Sequence, residues 1–150
     1  MNSSAQTNTE VCFREIDISY GRKRKQPSVK CAKDVANFLR SIAPNNSQEH
    51  FIAIYLDAAH SPIGYSVVST GLLASCPVHP REVYQRAILL GSYSVIIAHN
   101  HPSDSTTPSA EDRQVTKQLN EAAKVLGLRL LDHVIFTDDS HYSFQEAGEI

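Results

Sequence analysis

The chain has 150 residues, 41% of them apolar and 20% charged, with a formal net charge of -2. That length suffices for one domain with a real core, and the composition is too ordinary for a wholly disordered chain. The near-neutral balance supplies no global attraction to nucleic acid, and every apolar run is too short to span a bilayer.

Residues 1–10 are rich in Ser, Asn, Gln and Thr and predict a disordered tail, neither a signal peptide nor a membrane anchor. One domain is expected over residues 11–150, with its core over about residues 30–148. Cys12, Cys31 and Cys76 are odd in number, widely spaced and outside any Cys-x-x-Cys pair, which suits a reducing, cytoplasmic interior better than a disulfide framework.

Partial alternation of apolar residues from Cys12 to Tyr20 predicts a half-buried edge strand. The cations Arg22, Lys23, Arg24 and Lys25 follow, read as a solvated loop with a DNA-binding patch as the alternative. Val35, Phe38, Leu39 and Ile42 recur at i, i+3, i+4 and i+7, so Cys31 to Ile42 is a core-packing helix. Phe51 to Leu56 and Ile63 to Thr70 read as two strands of a hairpin turned at 58–62. After a small-residue loop, Pro80 opens a helix with Val83, Ala87 and Leu90 on one face, ended by Gly91.

Ser94 to Ala98 is a β-branched run that predicts a buried strand with His99 at its exit. Residues two apart in a strand point the same way, so His99 and His101 emerge on one side and can share an ion. Pro102 stops the ladder, and Ser109 caps a new helix with Asp112 in its first turn, returning a carboxylate from the loop. Two imidazoles and a carboxylate are a ligand set of catalytic zinc, which keeps one position open for water. Taken singly, the parts have plainer explanations: surface histidines before a proline, and a capping box in which Asp112 serves backbone donors. In the helix that follows, Val115, Leu119, Ala122 and Leu126 mark the expected buried stripe, with Gly127 as its stop. Leu128 to Thr137 is the last strong strand, and Tyr142 to Phe144 adds a short one. Strands alternating with helices make a mixed α/β domain.

The whole pattern is more specific than its parts. His-x-His with Ser eight and Asp eleven residues after the second His resembles the signature of the JAMM metallopeptidases, also called JAB or MPN proteins. His99-Asn100-His101-Pro102-Ser103, Pro108-Ser109-x-x-Asp112, Leu131-Asp132-His133 and Val78-His79-Pro80-Arg81-Glu82 resemble its bacterial RadC branch. The resemblance implies a JAB/MPN-like, cytidine-deaminase-like fold, a mixed sheet flanked by helices. It also implies one Zn2+ per chain held by His99, His101 and Asp112, and hydrolysis of a peptide or isopeptide bond in a peptide or protein substrate.

In that family a glutamate before the first hairpin strand is the general base, and two residues compete for the role. Glu49 lies at the entrance to the strand 51–56 and matches the family placement, whereas Glu82 lies in a first helical turn where the helix dipole already favours a carboxylate. Glu49 is the expected catalytic residue, taking a proton from water activated by the ion and passing it to the leaving amine. Ser109 is the expected donor to the developing oxyanion. Asp132-His133 is read either as an outer layer orienting a ligand imidazole or as a strand histidine with a local hydrogen bond. His79 to Glu82 is read as cleft lining or simply a helix start, and His50, His60 and His141 as exposed strand-end or turn residues.

RadC proteins are often labelled DNA repair proteins, and longer ones carry a helix-hairpin-helix segment for which this chain has no room. A shorter stand-alone version, of the kind carried on mobile elements, is therefore expected. The alternative function is a DNA-associated accessory protein with a structural or vestigial metal site, tethered through Arg22 to Lys25.

Overall fold

Three helices among the described residues form where a start signal meets an apolar stripe. In the computed structural model, which describes residues 29–43, 47–71 and 78–150, they are α1 (Ala32–Ile42), α2 (Pro80–Leu89) and α3 (Ala110–Val125). Cys31, in extended backbone, precedes α1, and the amide of Ala43 closes it on the Leu39 carbonyl just before Pro44. His79 caps α2, its Nδ1 accepting from the Arg81 amide at 3.2 Å, with Pro80 in the first turn. Gly127, at φ +69°, ends α3 as expected.

The strands are β1 (His50–Leu56), β2 (Pro62–Thr70), β3 (Ser94–Asn100), β4 (Arg129–Phe136) and β5 (His141–Ser143), in the sheet order β2-β1-β3-β4-β5. β1 and β2 form the predicted antiparallel hairpin, β1 also pairs antiparallel with β3, and β5 turns back antiparallel on β4. β3 and β4 are parallel, which requires a crossover, and α3 is that crossover. The expected mixed α/β architecture, one sheet flanked by helices, is what forms. β1 and β3 are central and wholly buried, hence their unbroken apolar runs, whereas edge strand β2 alternates.

The sheet divides the core in two. Ile52, Ile54, Leu56, Ile96, Ala98, Val134 and Phe136 face α1, packing on Val35, Phe38 and Leu39. Phe51, Ala53, Tyr55, Val95, Ile97 and Leu130 face α2 and α3, packing on Val83, Tyr84, Ala87, Leu119 and Ala123. Full burial of one such Leu or Val stabilises by about 1.5–3 kcal/mol. Tyr84 is held inside because its hydroxyl donates to the Leu119 carbonyl at 2.7 Å, and burial pushes its phenol well above the usual tyrosine range.

Three expectations need correcting. The buried stripe of α3 is Asp112, Thr116, Leu119 and Ala123; Val115 and Ala122 are half-buried and Leu126 is exposed. The helix is rotated because two polar residues of its first turns face inward. His50 is buried at 3% exposure, since β1 begins under cover and its backbone amide is held by Asn100. Asp132 and His133 do not act as a unit, because neighbouring strand residues face opposite ways, and a bulge opposite Val95 and Ile96 sets the phase that turns His133 toward α3. The expected tail at 1–10, edge strand at 12–20, cations at 22–25 and Cys76 lie outside the described residues. No helix among the described residues is long and apolar enough to cross a membrane.

Candidate metal centre

The polar side chains gather where β3 leaves the sheet. His99 is the last inward residue of β3 on the α3 face, and its ring stacks on Phe51 of β1 at 6.0 Å between centroids. His101 follows two residues later, its amide still donating to the Phe136 carbonyl of β4 at 3.2 Å. Strand-like geometry thus persists far enough to bring the two imidazoles together, Nε2 to Nε2 at 2.9 Å.

Asp112 arrives from α3. The expected capping box is present: the Ser109 hydroxyl accepts from the Asp112 amide at 3.0 Å, and Asp112 Oδ2 accepts from the Ser109 amide at 2.7 Å. The box does not exhaust the carboxylate. Asp112 Oδ1 lies 3.1 Å from His99 Nε2, and Oδ2 lies 3.6 Å from His101 Nε2. The capping box is therefore the device that aims the side chain at the histidines. A cap that accepts a hydrogen bond uses an oxygen lone pair and leaves the Ser109 hydroxyl proton free.

Glu49 completes the group. Its Oε1 lies 4.0 Å from His99 Nε2, and one ligand atom from each of Glu49, His99, His101 and Asp112 lies within 4.8 Å of the others. Glu82, the competing glutamate, is exposed on α2 and outside the cluster. Sequence reasoning passed over Asn100, between the two histidines. Its Oδ1 accepts from the His50 amide at 2.7 Å and its Nδ2 donates to the Gln48 carbonyl at 2.8 Å. That clamp grips the backbone on both sides of Glu49 and ties it to the histidine strand. The Asn between two inward histidines was its signal, since on a buried strand an amide side chain needs partners.

Electrostatics favour a cation here. Burial alone would raise the Asp112 carboxyl, but the His101 and His99 rings and the Ser109 amide outweigh it and hold the group well below the usual carboxylate range. The Asp112 carboxylate raises His101 in turn, against the opposing effect of burial. Burial raises Glu49, more than the two histidines lower it.

The donor set fits a metal ion. His101 Nδ1 lies 2.6 Å from the Ser105 carbonyl, which can only accept, so the ring proton sits on Nδ1 and the Nε2 lone pair faces the cluster. A tetrahedral ion with bonds of about 2.0–2.1 Å keeps its ligand atoms roughly 3.3 Å apart, and His99 Nε2 lies near that spacing from both His101 Nε2, at 2.9 Å, and Asp112 Oδ1, at 3.1 Å. His99, His101 and Asp112 suit direct ligation; Glu49, set back, suits a position beside the ion.

Behind His99 stands His133, fully buried and stacked on Phe144 at 4.7 Å, with its Nε2 2.8 Å from His99 Nδ1. The outer-layer reading of His133 thus has a contact behind it, while Asp132 points to the α1 side. Its Oδ2 accepts from the Ser143 hydroxyl at 2.7 Å and its Oδ1 from the His133 and Gln145 amides, closing the β4–β5 corner. A cavity of about 590 Å³ lined by Lys30, His60, Lys124 and Arg129 shares no residue with the cluster.

Comparison with known proteins places this geometry. A profile described as the RadC-like JAB domain matches residues 29–149. Similar proteins include a UPF0758 protein of Geobacillus thermodenitrificans, 43% identical over 122 residues that cover 81% of this chain and 54% of the relative. A UPF0758 protein of Methanococcoides burtonii is 43% identical over 85% of this chain and 55% of its own length. One from Rubrobacter xylanophilus is 39% identical over 87% and 57%. The chain spans about half the length of these curated relatives. With the profile running from the start of α1 to the end of the chain and the His, His and Asp of its motif converging, this protein belongs to the RadC-like JAB domain family.

Proposed function

We propose that the protein is a zinc-dependent metallohydrolase that cleaves a peptide or isopeptide bond. The observation that carries this reading is the convergence of Glu49, His99, His101 and Asp112 at the end of β3, with ligand atoms within 4.8 Å of one another. His99 Nε2, His101 Nε2 and an Asp112 oxygen would hold one Zn2+ per chain. When bound, zinc supplies the Lewis acidity that brings the pKa of a water to about 7.

The chain's own groups handle the protons. Glu49 accepts the proton of the attacking water and returns it to the leaving amine nitrogen. Its partial burial raises its proton affinity, which favours the accepting role, and Asn100 fixes the backbone that carries it. Ser109 uses its free hydroxyl proton to donate to the oxyanion that develops on the attacked carbonyl. The substrate is a peptide or protein, and the reducing, cytoplasmic setting follows from the scattered cysteines.

The test is metal analysis of the purified chain followed by cleavage of a peptide library with and without chelator. Cleavage that vanishes with chelator and returns with zinc supports the enzyme. A zinc-loaded chain that cuts nothing, while binding DNA in a salt-sensitive way through Arg22 to Lys25, would replace it with the accessory-protein reading.

A further inference from the structure

The contact between His133 and His99 continues to a third residue. Thr116, one turn after Asp112 on α3, places its hydroxyl 2.6 Å from the Asp112 carbonyl and 2.5 Å from His133 Nδ1. The hydroxyl has one proton, and a carbonyl can only accept, so that proton goes to Asp112. His133 Nδ1 must then donate to Thr116. A buried, neutral imidazole has one N–H, so His133 Nε2 is left bare and accepts from His99 Nδ1. With its proton on Nδ1, neutral His99 presents a bare Nε2 to the cluster.

We propose that Thr116 and His133 are positioning residues whose one-directional hydrogen-bond chain locks His99 in the metal-binding tautomer and ties it to the helical turn bearing Asp112. The inference rests on the cluster binding a divalent cation. The direction of the chain is set at the Asp112 carbonyl, so the same turn of α3 supplies one ligand through its side chain and orients another through its backbone. Phe144 and Phe51 stack on His133 and His99 and hold the two rings in register. The β4 bulge puts His133 on this face. A shift of one residue in β4 would send it toward α1 and break the chain.

The experiment uses the full chain with zinc as probe. Imidazole 15N NMR of the zinc-loaded wild type should show His133 and His99 each protonated on Nδ1. Thr116→Val, which keeps the shape and removes both hydrogen bonds, should weaken zinc binding about 10–100-fold in competition with a chromophoric chelator, and Thr116→Ser should restore it. His133→Phe, which retains a ring against Phe144, should weaken zinc binding to a similar degree. A merely structural role would lower melting temperature but leave the zinc affinity of the folded variants and the tautomers unchanged.

His133 protonated on Nε2 would overturn the proposal, as would a folded Thr116→Val chain binding zinc like wild type. If Thr116→Val does not fold, the wild-type spectrum alone decides. If the wild type binds no zinc, the metal reading fails first, and the tautomers of the metal-free protein still test the hydrogen-bond chain.

Discussion

The two faces of the sheet are built from the same strands and do different work. Toward α1, the middle of the sheet is apolar, with Ile52, Ile54, Ile96, Ala98 and Val134 packed around Leu39 at 0% exposure, and its buried polar residues such as Asp132 and Asn100 hold backbone groups. Toward α2 and α3 the same alternation begins apolar with Val95 and Ile97, then continues to His99, while β4 runs from Leu130 to His133. The second face gathers its buried imidazoles and carboxylate into one cluster, where each polar atom needs a partner. Both faces carry apolar core, and only the far end of the α2 and α3 face gathers the four candidate metal-site residues.

The largest expected effect separates the two at the level of rate. Glu49→Gln should lower kcat about 10²–10⁴-fold on any peptide the library identifies, with zinc affinity little changed, if the carboxylate moves protons beside the ion as proposed. Glu82→Gln, on the exposed side of α2, should leave kcat near wild type. The reverse result would transfer the base to Glu82. Next, Leu39→Ala should cost about 2–5 kcal/mol in urea unfolding through the cavity it leaves, with the zinc affinity of the folded fraction unchanged. A loss of zinc binding in that variant would show the faces to be coupled.

This division also explains how much the sequence disclosed. Apolar periodicity located α1, the β1–β2 hairpin and β3 within a residue or two, because those segments obey one simple period throughout. The His99, His101, Ser109 and Asp112 pattern was legible for a local reason: strand period and capping box each fix a side-chain direction within a few residues. What stayed hidden depended on the polar face. The α3 stripe was misplaced because Asp112 and Thr116 look like solvent-facing residues until His99 and His133 supply their partners. Which of Asp132 and His133 faces α3 turned on a bulge at Leu131, which the leucines at 128, 130 and 131 do not reveal. His50 passed for a surface residue because its burial depends on tertiary covering, with its backbone amide donating a hydrogen bond to Asn100 fifty residues away.

Zinc itself should act on one face only. At free zinc a hundred times Kd, the unfolding free energy of the wild type should rise by about 2.7 kcal/mol, a melting shift of roughly 5–10 °C for a domain of this size. Leu39→Ala should show the same increment from a lower starting point. Asp112→Ala should show none, and a shift of full size in that variant would place the ion somewhere other than the His99, His101 and Asp112 group.

The smallest effect concerns Ser109, which caps α3 and, in the proposed mechanism, also meets the oxyanion. Its hydroxyl caps α3 by accepting from the Asp112 amide, so Ser109→Ala should cost about 1 kcal/mol in unfolding. Ser109→Gly should cost only a few tenths, since glycine is tolerated at that position. Both variants lack the hydroxyl proton. If that proton stabilises the oxyanion, the two lose kcat equally despite their different stabilities, as steady-state kinetics on one peptide would reveal. If Ser109→Gly keeps the wild-type kcat while Ser109→Ala does not, the hydroxyl is dispensable to the chemistry, the loss in Ser109→Ala comes from a disturbed helix start that carries Asp112, and the oxyanion must be met by another donor.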